Sequence, residues 1–169
     1  MAEQNPNLMS KSQMQTMAST SGSGKLLMHE ILTKVNNAKD KPKKIEVLKR
    51  YDTNELRMIL KAAFDPNIKW KIPEGDVPYE ENDAPTGTEH TWLKQESHRL
   101  YHFIEGGNNE IKQFQREKMF VQMLEGLNKD EAKLLISIKD KKLNTRYKGL
   151  TSNLVKEAFN WNDNFMRNN

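Results

Sequence analysis

Apolar residues in this chain recur three and four positions apart, in short runs cut by proline, glycine and capping residues. Leu27, Ile31 and Val35 share one stripe, with Met28 and Leu32 beside it, which is the period of an amphipathic helix. Asp40 with Pro42 opens a second run carrying Ile45, Leu48 and Tyr51, as an N-cap followed by an early proline should. Asp52 and Glu55 have the spacing of a capping box for a third, with Leu56, Ile59, Leu60, Ala63 and Phe64. Four more runs follow: from about Thr88 through Trp92, Leu93, Leu100, Phe103 and Ile104 to Gly106-Gly107; from Asn108 or Asn109 with Ile111, Phe114, Val121 and Leu124 inward, to Gly126; "KDEAKLLISIK", capped by Asn128 with Glu131; and a last one capped by Thr151 or Ser152, with Leu154, Val155, Ala158 and Phe159. Short amphipathic helices must bury their stripes against one another. The predicted fold is therefore all-α, about seven short helices in one compact domain.

One segment leaves the pattern. Asp65-Pro66 ends the third helix, because the residue before proline is pushed out of helical geometry. Ile68, Trp70 and Ile72 then alternate with polar residues, as in an extended strap laying side chains on the helices. Beyond it, Pro73, Gly75, Pro78, Pro85 and Gly87 mark residues 73–89 as a long acidic loop. The predicted organisation is a disordered tail over residues 1–24, rich in Gln, Ser, Asn and Met, a helical module over 25–162 and a C-terminal tail over 163–169.

Composition excludes several classes. The chain of 169 residues has no cysteine, which removes disulfides and thiolate chemistry and fits a reducing cytosol. No run approaches the roughly 18 apolar residues of a membrane span, and the N-terminus lacks a basic start followed by an apolar run. "GSGKL" at 22–26 is not a phosphate loop: Ser19 and Leu26 stand where that motif needs Gly and Ser or Thr. His98 and His102, four apart with Glu105 as a lone third group, read as surface or half-buried histidines rather than as metal ligands. No nucleophile sits in a recognisable catalytic context. The expectation is a protein that is not an enzyme and needs no cofactor or metal.

The charge is patterned. Residues 39–50 hold six basic and two acidic side chains, residues 139–148 hold five and one, and residues 73–89 hold six acidic and no basic ones. Two basic islands split by an acidic loop fit a face for a polyanion and a face kept off it. In "KDKKLNTRYKGLTSNLVKEAFNW" a lysine-rich helix end leads to Gly149 and a Thr151 cap. Free N–H groups at a helix start, a glycine that permits close approach and flanking cations suit a phosphate. The candidate DNA-binding residues are Lys43, Lys44, Lys141, Lys142, Arg146, Lys148, Gly149 and Thr151. For the aromatic residues core packing is the expectation, with Trp161 the one placed for exposure.

Two stretches carry a family resemblance. "KKIEVLKRYDTNELRMILKAAFDPNIKWKIP" at 43–73 and "DEAKLLISIKDKKLNTRYKGLTSNLVKEAFNW" at 130–161 resemble the N-terminal helical DNA-binding domain of phage-type ATP-dependent DNA ligases. The resemblance implies that the strap is structural and that the chain grips duplex DNA, nicked or intact. It departs from the family in lacking the Lys-x-Asp-Gly of the nucleotidyltransferase, in a longer spacer over 141–148 and in the acidic loop. What it implies is the DNA-binding module without the enzyme, acting in the host cytoplasm in phage DNA metabolism. The alternative expectation is an adaptor for phage replication, transcription or virion-assembly proteins with no direct DNA role.

Overall fold

The computed structural model describes residues 26–85 and 91–168; the tail expected at 1–24 lies outside them. The fold is all-α, with eight α-helices among the described residues: α1 Met28–Asn37, α2 Lys41–Arg50, α3 Asn54–Phe64, α4 Leu93–Glu96, α5 Gln113–Gly126, α6 Lys129–Lys139, α7 Leu143–Arg146 and α8 Ser152–Phe159. A 3-10 helix, Ser97–Phe103, continues α4. Thr88, the expected start of this helix, lies outside the described residues; within them the segment is one α turn followed by a tighter coil.

The caps follow the local chemistry. Asp40 accepts from the Lys43 N–H at 3.0 Å, and Thr151 accepts from Leu154 at 3.2 Å. At α3 the cap is Thr53, accepting from Leu56 at 3.1 Å. The expected cap, Asp52, instead grips the Arg57 guanidinium through two bonds of 2.6 Å. Asn128 caps α6 by accepting from Asp130, but Glu131 does not complete a box there. Its side chain is buried in the core and accepts from the Met28 N–H at 3.0 Å and the Leu93 N–H at 2.9 Å. One side chain on α6 therefore satisfies a first-turn N–H of both α1 and α4, groups that have no partner within their own helices.

The core runs through Leu32 and Val35 of α1, Leu48 of α2, Ile59 and Leu60 of α3, Phe103 of the 3-10 helix, Phe120 and Leu124 of α5, Leu134 and Leu135 of α6, and Val155 of α8. α2 packs on α1 and α8, and α6 touches α1, α3, α5 and α7, which makes α6 the central helix. α5 departs from its expected register. Arg116, Phe120, Met123 and Leu124 are its buried face, while Phe114 is 82% exposed. A polar residue occupies the inward slot: the Arg116 guanidinium donates to the His102 and Asn108 carbonyls and to Gln113 Oε1.

After Asp65-Pro66 the strap pairs, at Trp70, with Ile104 in an isolated antiparallel bridge, through Lys71 N to Phe103 O and Glu105 N to Lys69 O, both 2.7 Å. Ile72 is buried, and the half-buried Trp70 indole donates to the Ala62 carbonyl at 3.1 Å. At the other end the expected C-terminal tail instead folds back. Trp161 pairs with Arg167, Asn168 N donates to Asn160 O, and Phe165 is buried. Trp161, placed for exposure, is half-buried between Phe159 and Phe165.

Candidate functional site

The eight candidate residues fall into three settings. In the first, a lysine end-caps a helix. Lys44 Nζ donates to carbonyls at the end of α1, those of Val35 and Asn36 in its last turn and of Ala38 just beyond it, at 3.2, 2.9 and 2.8 Å. Lys141 Nζ does the same at the end of α3, reaching Ala62 O at 2.9 Å and Asp65 O at 2.8 Å. A cation there satisfies orphan carbonyls and opposes the dipole. Burial lowers the Lys141 ammonium to about 8, with Asp65 opposing the shift and Lys69 adding to it.

The second setting is the expected phosphate cradle. The Gly149 N–H donates to Asn36 Oδ1 at 2.8 Å. A Cβ at Gly149 would lie 3.0 Å from Lys44 Nζ and 3.2 Å from Asn36 Oδ1. The glycine admits the close approach of a lysine and an asparagine of this same chain. Thr151 Oγ1 is held by its own helix, and Lys141 and Thr151 line a groove of about 770 Å³ with Lys69, Trp70, Lys139 and Asn144.

The third setting is solvent. Lys43, Arg146 and Lys148 are exposed, and among the described residues no carboxylate pairs with them. Arg146 lies over the Tyr147 ring, 5.8 Å from its centroid. Tyr147 is buried and fixes the loop between its two basic neighbours. Lys142 is exposed too, but its ammonium is 3.2 Å from Glu74.

The structure therefore brings the two islands together. Lys44 in α2 meets Gly149 in the loop before α8, and Lys43 and Lys148 are the chain neighbours of that contact. The acidic loop is not held away from the basic surface. Lys139, with a side chain fully buried, donates to Pro73 O and Gly75 O at 2.8 and 3.1 Å and to the Asp140 carboxylate. Gly75 N donates to Asp140 Oδ1, and Lys133 lies 3.9 Å from Glu81.

The two histidines diverge. His98 meets Glu55 at 2.8 Å and His102 Nδ1 meets Asn108 at 2.9 Å. In a 3-10 helix, residues four apart do not share a face. Burial, with Arg99 nearby, lowers the pKa of His102. No group of three metal-binding side chains occurs among the described residues, and no described helix is long and apolar enough to cross a membrane.

Residues 31–145 match a family described as Family of unknown function (DUF6433). No curated protein and no solved structure matches the chain.

Proposed function

The chain belongs to DUF6433, a family of unknown function, and for it we propose a non-catalytic DNA-binding role, gripping duplex phosphates with low sequence specificity. The observation that supports this reading is the meeting of the two islands at Lys44 and Gly149, which leaves Lys43, Arg146 and Lys148 exposed around it. Lys44, Gly149 and Asn36 hold the patch together, and the exposed cations contact the DNA. Such contacts release counterions and are blind to base identity. Likeness to the ligase N-terminal helical domain, a phage setting and action in the host cytoplasm are parts of the same proposal.

The test is a mobility shift with nicked, intact and single-stranded DNA of unrelated sequences at two salt concentrations. Binding to duplexes about equally across sequences, with a steep loss on raising salt, is the expected result. No affinity at low salt ends the DNA reading in favour of an adaptor.

A further inference from the structure

The face of α5 away from the core carries Phe114, Glu117, Lys118 and Val121, at the three- and four-residue spacing of one helical surface. Beside it the strap and acidic loop supply Ile72, Val77 and Pro78, and Phe120 forms the floor. Together they line an apolar groove of about 320 Å³, at the small end of the ~300–1,000 Å³ typical of ligand pockets. Phe114 stands at its head, 82% exposed.

That exposure is enforced by the fold. Gln113 Nε2 donates to Lys71 O at 2.6 Å, and Arg116 Nε donates to His102 O at 2.9 Å. The bonds on either side of Phe114 fix the rotation of the first turn of α5, so the ring cannot turn into the core. An exposed aromatic beside an apolar groove, held in place, is the arrangement of a binding anchor.

The rim selects the occupant. Asp76 and Glu117 stand on the groove against a single cation, Lys118. One wall belongs to the loop that also holds Glu80 and Asp83, while its Glu74 and Glu81 face Lys142 and Lys133. Complementarity therefore favours a positively charged visitor and disfavours an acidic one. We propose that this groove docks a short apolar segment flanked by lysine or arginine on a partner protein. It uses none of the residues assigned to DNA and stands or falls independently of that role.

The experiment titrates the isotope-labelled full chain with two synthetic amphipathic peptides, one of leucine and lysine, the other of leucine and glutamate, read by amide chemical shifts. The leucine–lysine peptide should bind saturably and shift amides over 72–78 and 114–121. The leucine–glutamate peptide should bind at least tenfold more weakly. Phe114→Ala should keep the melting temperature, because the ring is already in solvent, and lose tenfold or more in affinity. The double variant D76K/E117K should invert the preference between the peptides. Equal binding of both peptides, shifts confined to other faces, or concentration-dependent dimerisation that Phe114→Ala abolishes would each overturn the proposal; the last would give the face to a second copy of this chain.

Discussion

The two basic islands have the same net charge in sequence and are spent differently in the fold. In residues 39–50 one lysine, Lys44, turns inward to end α1, and Lys43 and Lys49 stay in solvent. In residues 139–148 two lysines turn inward: Lys139 is fully buried under the strap and Lys141 ends α3. A third, Lys142, is taken up by the acidic loop. Counting lysines therefore overstates the cationic surface of the second island more than that of the first. What each contributes to a polyanion is set by how many backbone carbonyls its ammonium groups already serve.

The largest expected effect tests the inward half of that contrast. Lys139→Met keeps most of the length of the side chain but leaves the Pro73 and Gly75 carbonyls without the ammonium donor and the Asp140 carboxylate, still held by Gly75 N, without its cation. Breaking a buried charge pair from one side costs about 3 kcal/mol or more. Urea unfolding should show that loss, whereas Lys43→Ala should stay within about 0.5 kcal/mol, as for an exposed side chain. Equal, small losses would mean that the two islands are alike after all.

Next comes the outward half. The triple variant K43A/R146A/K148A should unfold normally and bind duplex DNA about ten- to a hundredfold more weakly. The salt slope should fall by about 2.7, roughly 0.9 for each phosphate contact. Loss of only one contact's worth of slope would put a single island on the DNA.

A smaller effect comes from Lys141, which is lowered to about 8 in the fold against about 10.4 for an ordinary lysine. Between those values the unfolded chain binds more protons than the folded one, so the Lys141 contribution to stability rises as pH climbs from about 8 toward 10 and is flat outside that window. Solvent screening of a half-buried group reduces the effect to about 1 kcal/mol. Urea midpoints at pH 7, 8, 9 and 10 should show wild type gaining on Lys141→Met across that window. A gap that does not change with pH would show that the Lys141 ammonium has the same pKa in the folded and the unfolded chain.

The helices were legible because their signals are local. The stripes of α1, α3, α6 and α8 and the caps Asp40, Asn128 and Thr151 each lie within one or two turns. The break at Asp65-Pro66 was legible for the same reason. What was not legible depends on partners far along the chain. Nothing near Glu131 says that it serves Met28 and Leu93, and nothing near Gly149 says that its neighbour in space is Lys44. The register of α5 was misread because Arg116 fills an inward slot that apolar periodicity assigns elsewhere, which sends Phe114 outward. At the site, the contact between the islands was foreshadowed only in that both are basic and each borders a helix start. The exposed trio could not be told from the inward lysines, since all are flexible cations in similar stretches.

The smallest effect tests whether the acidic loop restrains the second island. Lys142 and Glu74 are 3.2 Å apart with side chains 60% and 68% exposed, so their pairing is worth about 1 kcal/mol or less and is screened by salt. Glu74→Gln keeps the size of the side chain and removes one negative charge beside the patch. Lys142 is then released without disturbing the Gly75 and Pro73 contacts that anchor the loop to Lys139 and Asp140. Stability should be unchanged. DNA affinity at low salt should rise about two- to threefold, with a salt slope steeper by no more than about 0.9 if Lys142 takes up a phosphate. Adding Lys142→Ala to Glu74→Gln should erase the gain, because the freed cation is its source. If Glu74→Gln has no effect while the triple variant loses binding, Lys142 lies off the path of the DNA, and the second island acts through Arg146 and Lys148 alone.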